Sequence, residues 1–323
     1  MKFRRDVLAL DCAAEARRIS EFIVERMNWL KRDGAVVGLS GGVDSALAAA
    51  LCVKALGFEK VIGLVLPERE SNPLSRDYAL KEARRLGIRV EVIDITPTLE
   101  AFGTYEKRDE AIRGICPQYG PGWRSKITLP SDLLARDAFN FFSLRLVAPD
   151  GRESTIRLKK ETLFKIVAAT DTKHRTRMMH LYYWAERLNF YVCGTTNRTE
   201  VLQGYFVKHG DGGVDLEPIA HLFKTQVFAL AEHLGVIEEI RKRVPSPDTF
   251  SWEVSDEEFY FRMPYETLDL LLFAWENEVP AEEVGPVMGL SPDQVRRAFR
   301  DFTAKYVATQ HLRAVAPSLL PPK

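Results

Sequence analysis

Ala35-Val36-Val37-Gly38-Leu39-Ser40-Gly41-Gly42-Val43-Asp44-Ser45-Ala46-Leu47-Ala48-Ala49-Ala50 decides how this 323-residue chain is read. The apolar start predicts a buried strand, Ser-Gly-Gly a tight loop, and Ala46 to Leu56 a helix that stops at Gly57. A strand, a glycine-rich turn and a helix N-terminus together form an anion site. Glycine lets the backbone approach a phosphate, and free N–H groups with the helix dipole favour its charge. No Lys follows the glycines as in a Walker A loop, and the spacing is not GxGxxG. Instead Asp44 stands at the helix entrance. A carboxylate beside polyphosphate makes sense when it holds a divalent cation.

Outward from that stretch the strand-helix rhythm continues. Val61 to Leu66 is a second buried strand, stopped by Pro67; Ser75 to Leu86 is an amphipathic helix ending at Gly87; Val90 to Ile95 is a third strand. Continuous apolar strands alternating with helices predict an α/β, Rossmann-like, doubly wound parallel sheet. Ligands in such sheets sit at the carboxyl ends of the strands, here the loop after Leu39 and the residues around Leu66. Before the first strand, apolar positions from Leu8 to Leu30 recur at helical spacing. From about 101 to 170 the rhythm breaks, and the stretch reads as an insertion. Within it, alternating residues flank Pro149-Asp150-Gly151, the signature of a β-hairpin. A helix from Lys173 to Leu188, a strand at 190–193 and a helix from Lys224 to Leu234 restore the pattern. A helical part at about 255–315 follows, and the tail 316–323 is expected to be loose. One domain spanning 1–323 accommodates all of this.

Composition narrows the function. The 45 basic and 45 acidic residues cancel, which removes the global electrostatic case for nucleic acid. No apolar run reaches membrane-span length, and the start of the chain lacks an apolar signal core, so no membrane role and a cytoplasmic location are expected. Cys12, Cys52, Cys116 and Cys193 are scattered without CxxC spacing and suit a reducing compartment. His174, His180, His209, His221 and His233 match no metal spacing and read as surface or core residues.

Ser40-Gly41-Gly42-Val43-Asp44-Ser45 after a strand resembles the pyrophosphate loop of the N-type ATP pyrophosphatases, whose fold is adenine nucleotide alpha hydrolase-like. The region after Cys193 selects among them. Gly194-Thr195 with Glu200, Gly204-Tyr205-Phe206-Val207-Lys208-His209-Gly210-Asp211-Gly212-Gly213, and Pro218-Ile219 leading to Lys224-Thr225-Gln226 resemble the ammonia-dependent NAD synthetases. So do Arg175 and Arg177, Pro245-Ser246-Pro247-Asp248, and Met263 to Asp269.

That resemblance implies the site. Gly38, Leu39, Ser40, Gly41, Gly42, Val43, Asp44 and Ser45 would hold the ATP phosphates, with Leu66, Thr195, Lys224 and Ser246 completing the ATP site. Asp44 and Glu200 would bind Mg²⁺. Arg175, Lys208, Asp215 and His311 would meet deamido-NAD. The implied reaction is amidation of deamido-NAD by ammonia through an adenylated nicotinate, releasing AMP and pyrophosphate. Asp44 and Lys224 would be central to it, and Asp211 would orient or deprotonate ammonium. The family also implies a homodimer, for which the first helix and the last helices offer apolar faces. With no nitrilase-like domain in the sequence, free ammonia is the simpler nitrogen donor, a separate glutaminase being the other supply.

The chain departs from the family at Leu312, where a lysine is usual, at Pro247, where alanine is usual, and in its insertion. These departures support an alternative ligase of the same superfamily that adenylates and amidates another acid. A nucleotide-binding regulator without catalysis is a third reading, set against the presence of Asp44, Glu200 and Lys224.

Overall fold

The computed structural model describes residues 2–130, 133–135 and 141–319. The chain opens with α1 (Cys12–Leu30), β1 (Ala35–Gly38), α2 (Val43–Leu56), β2 (Val61–Val65), α3 (Pro73–Leu86) and β3 (Arg89–Val92). The expected insertion region holds α4 (Thr96–Phe102), α5 (Thr104–Arg113), β4 (Arg124–Thr128), β5 (Ser143–Val147) and β6 (Glu153–Arg157). Then come α6 (Lys160–Leu188), β7 (Tyr191–Cys193), α7 (Arg198–Gln203), α8 (Lys224–His233) and α9 (Glu238–Arg241). The last part is α10 (Tyr265–Glu276), α11 (Ala281–Met288), α12 (Pro292–Ala308) and α13 (Gln310–Arg313).

β1, β2, β3 and β7 form an all-parallel sheet in the order β3-β2-β1-β7. Strand alternation sends side chains to opposite faces. Ala35, Val37, Val61, Val65, Tyr191 and Cys193 pack under α1, α2 and α8 on one face. Val36, Ile62, Leu64 and Val192 pack on the other with Leu99 of α4 and Met178, Leu181 and Trp184 of α6. The sheet is therefore wound on both faces, as the continuous apolar strands predict. The chain runs outward from β1 to β2 to β3 and returns on the far side at β7, so the switch point lies between β1 and β7. Ligands are expected at the carboxyl ends there.

Element boundaries differ in places from the sequence reading. Helix α1 begins at Cys12 rather than near Leu8, because the Asp11 carboxylate caps it by accepting from Ala14 N–H at 3.0 Å. Helix α6 starts at Lys160, not Lys173, and so takes in the end of the expected insertion. Its buried Ile166, Ala169, Thr170, Lys173 and Thr176 keep helical spacing through that stretch. The expected hairpin forms, with β5 antiparallel to β6, and β4 adds a third strand on the other side of β5. Residues 316–319 carry no regular structure, and the rest of the tail, 320–323, lies outside the described residues.

Candidate active site

The β1–α2 loop is locked from within. Ser40 N–H donates to Ser45 Oγ (3.2 Å), Gly42 N–H to Ser40 Oγ (3.2 Å), and Ser45 Oγ–H to the Gly42 carbonyl (3.0 Å). Gly41 has φ +75°, and a Cβ there would lie 2.3 Å from the Ser75 carbonyl oxygen. Only glycine meets both conditions. Gly42 precedes α2 and offers no side-chain cap, which leaves the helix's first N–H groups to face an anion.

Behind the loop, α7 and α8 bring three charges together. Helix α7 opens with a capping box: Asn197 Oδ1 accepts from Glu200 N–H, and Glu200 Oε2 accepts from Asn197 N–H, both at 3.1 Å. Asn197 Nδ2 then donates to Asp44 Oδ1 (2.9 Å). Lys224 opens α8, its N–H donating to Thr199 Oγ1 at 3.1 Å. Its Nζ is ion-paired with Asp44 and lies 4.0 Å from Glu200 Oε1. Burial, reinforced by the like charge of Asp44, pushes the Glu200 carboxyl well above its ordinary range. Burial alone would lower the Lys224 ammonium, but Asp44, Glu200 and Asp256 outweigh it and raise it.

The loop with Asp44, Glu200 and Lys224 opens onto a cleft of about 930 Å³ at the carboxyl ends of β1, β2 and β7. Gly38, Leu39, Ser40, Gly42, Val43, Asp44, Ser45, Leu66, Thr195, Glu200, Lys224 and Ser246 line it. Gly41 does not, since it turns toward Ser75. Arg175, Lys208, Asp211 and His311 line the same cleft. Arg175 Nε donates to the Lys208 carbonyl (3.3 Å), Lys208 Nζ to the His311 carbonyl (2.7 Å), and Val207 N–H to Asp211 Oδ1 (2.9 Å). Asp215 stands apart from the lining. Its carboxylate accepts from Tyr182 OH (3.0 Å) and Val192 N–H (2.8 Å), tying the Gly-rich loop to α6 and β7.

Several lining residues were given no role in the site from sequence. Asp256 accepts from Tyr205 OH (2.9 Å) and Tyr265 OH (2.8 Å), and burial raises its carboxyl. Asp171 is pushed up to about 6, mainly by burial. His174, expected at the surface or in the core, lines the cleft with Nδ1 3.6 Å from Asp211 Oδ1. Its position one residue before Arg175 was the available signal. Asp248 accepts from Asn72 N–H (3.0 Å) and Ser75 Oγ–H (2.7 Å), joining the Ser246 loop to α3.

Asp44 and Glu200 suit a hard divalent cation. Two half-buried carboxylates, one of them raised by burial and then by the like charge of the other, are a donor set that a cation relieves. Mg²⁺ is ordinarily held by one or two carboxylates with substrate phosphates and water. Among the described residues no group of three or more His, Cys, Asp or Glu could hold a metal by itself.

The family described as NAD synthase matches residues 15–116 and 149–315. The chain belongs to the NAD synthase family. This member is 46% identical to an NH(3)-dependent NAD(+) synthetase of Rhizobium meliloti, over 99% of this chain and 95% of that one. It is 39% identical to the enzyme of that name from Thermotoga maritima, over 82% of this chain and 88% of that one. Among solved structures, an NH3-dependent NAD synthetase from Campylobacter jejuni superposes with TM-score 0.64 at 23% identity, covering 97% of this chain and all (100%) of the other. That likeness bears on the fold, which is the family's.

Proposed function

We propose that this chain makes NAD from deamido-NAD and ammonia, converting ATP to AMP and pyrophosphate. The observation that carries the reading is the cluster of buried Lys224 with half-buried Asp44 and Glu200, directly behind a glycine loop and in the same cleft as Arg175 and Lys208. A nicotinate carboxylate oxygen attacks the α-phosphorus of ATP, and the bond to pyrophosphate breaks. Ammonia nitrogen then attacks the carbonyl carbon of the mixed anhydride, AMP leaves and one proton is released. Each step is an in-line displacement or an acyl transfer, so positioning and electrostatics supply the catalysis.

The loop N–H groups between Ser40 and Ser45 hold the phosphates. Lys224 exchanges the Asp44 carboxylate for phosphate oxygens as the triphosphate enters, and then faces the charge that grows on pyrophosphate. Asp44 and Glu200 hold Mg²⁺, which supplies positive charge against the triphosphate. Arg175 and Lys208 bind the dinucleotide. Asp211 orients or deprotonates ammonium, and full activity in Asp211→Asn would remove that role. Two copies would pair through exposed apolar residues such as Trp29 on α1 and Val307 on α12. A cytoplasmic enzyme using free ammonia, or ammonia handed over by a separate glutaminase, fits four free cysteines and the absence, among the described residues, of a helix able to cross a membrane.

One observation favours another acid as substrate: Leu312, where the family usually has lysine, lines the cleft beside His311. A panel of carboxylic acids, assayed for AMP in the presence of ammonium and ATP, separates the readings. The expected result is the highest kcat/KM for deamido-NAD. A greater value for a different acid would establish the alternative.

A further inference from the structure

Strand β4 is an edge strand of the three-stranded sheet, ordered β4-β5-β6. Such an edge presents unpaired backbone groups. Here a distant segment takes them up. Ser125 N–H donates to Ser251 Oγ (3.0 Å), Trp252 N–H to the Ser125 carbonyl (3.1 Å), and Leu129 N–H, just beyond β4, to the Glu258 carbonyl (3.2 Å). Side chains reinforce the seam. Lys126 Nζ reaches the Glu258 carboxylate (2.9 Å) and the Glu253 carbonyl (3.3 Å). Lys126 and Arg145 also stand 4.5 and 5.1 Å from the centre of the Trp252 ring. Below it, Phe250 and Val254 share one apolar cluster with Ile127, Leu144 and Leu146.

The gripped segment is a wall of the cleft. Ser246, Asp248, Thr249, Phe250, Asp256 and Phe259 all line it. Apart from the helical turn at Glu257–Phe261, residues 242–264 contain no helix or strand. A few local bonds, such as Asp256 N–H to the Pro245 carbonyl (3.0 Å), and ties to Asp248, Thr249 and Asp256 from other elements leave the stretch from Ser251 to Val254 to be held by β4 and β5. Strands β4 and β5 fall between the two stretches the family matches, 15–116 and 149–315.

We propose that β4 and β5 act as a scaffold that holds residues 245–259 in their nucleotide-binding shape before ATP arrives, with Lys126, Ser251 and Trp252 as positioning residues. A wall already ordered costs the ligand nothing to order, and an unheld one lowers apparent affinity by the fraction of time it is correctly shaped. The inference rests on the cleft being the ATP site, whichever acid is the co-substrate.

The test uses the full chain, α,β-methylene-ATP with Mg²⁺, and the variants Lys126→Met, Lys126→Arg and Ser251→Ala. Hydrogen exchange reads amides 249–258 and calorimetry reads nucleotide affinity, so turnover of the acid is not needed. In the parent protein these amides should be protected without nucleotide. In Lys126→Met they should exchange faster until nucleotide is added, with Kd raised roughly tenfold and kcat at saturating ATP nearly unchanged. Lys126→Arg should recover most of the loss, and Ser251→Ala, a milder change, should show a smaller shift of the same sign. Faster exchange with unaltered Kd, or equally fast exchange in parent and variants, would overturn the proposal. A parent protein that binds no nucleotide would instead overturn the ATP reading beneath it.

Discussion

Lys224 Nζ is ion-paired with Asp44 and lies 4.0 Å from Glu200, so one buried ammonium stands between two carboxylates. Removing it by Lys224→Met leaves the half-buried Asp44 carboxylate without its cation, beside a Glu200 carboxyl that burial and Asp44 already push up. Breaking a buried pair in this way costs about 3–5 kcal/mol. Urea denaturation at pH 7 should show a loss of that order, partly recovered by millimolar Mg²⁺, and AMP formation should fall by roughly two to three orders of magnitude, the scale of a lost charge-stabilising donor. Unchanged stability would mean that the pair is not closed in solution.

Gly41 offers a sharp test of the loop. Gly41→Ala must place a Cβ 2.3 Å from the Ser75 carbonyl oxygen at φ +75°, so either the loop or α3 has to move. AMP formation should drop at least about a hundredfold, a misplacement effect. Gly151→Ala is the control. It has φ +86° but open space around it, so it should cost about 1 kcal/mol of stability with activity intact. Equal effects of the two substitutions would contradict the close approach.

Glu217 sets a pH dependence. Burial pushes its carboxyl up to about 8, although Thr196 N–H donates to it at 3.2 Å. In the unfolded chain it loses its proton near the usual value of about 4.3. Between those values the unfolded chain binds fewer protons than the native one, so stability falls as pH rises through the window and levels off above about 8. Glu217→Gln removes this slope. The variant should match the parent near pH 4 and exceed it at pH 8, as read by denaturant midpoints. Parallel profiles would show that the carboxyl ionises normally in the fold.

Lys173 is a buried cation serving structure. Its Nζ donates to Glu68 (2.9 Å), Glu70 (2.8 Å) and the Thr249 carbonyl (2.8 Å), and Tyr105 OH donates to Glu68 (2.6 Å). Burial alone would raise Glu70, but Arg108 and Lys173 hold it down at about 2. A lowered carboxyl contributes stability above its unfolded value of about 4.3, which is lost as pH falls toward about 2. Lys173→Met should cost about 3–5 kcal/mol at pH 7 and shrink that acid-dependent component. A variant as stable as the parent across the range would contradict the network.

The parts legible in the sequence were those encoded locally. Strand β1, its loop and α2 announce themselves within sixteen residues (35–50), because burial, glycine and helix signals lie side by side. Glu200 and Lys224 came from resemblance, and the fold brings both to Asp44. The first turns of α6 were missed because Lys159 provides no side-chain cap. Partners far apart in sequence stayed hidden. Lys173 meets Glu68 from 105 positions away, and Lys126 meets Glu258 from 132, and no spacing rule reaches that far. Asp215, placed by resemblance at the dinucleotide, here braces Tyr182 and β7.

The most direct measurement is one incubation of the purified protein with ATP, Mg²⁺, ¹⁵N-ammonium and deamido-NAD labelled with ¹⁸O in its nicotinate carboxylate, read by mass spectrometry. The expected result is NAD carrying ¹⁵N, formed in equal amount with AMP that carries one ¹⁸O from the broken anhydride. AMP without NAD, NAD without AMP, or unlabelled AMP beside labelled NAD would contradict amidation through an adenylated nicotinate.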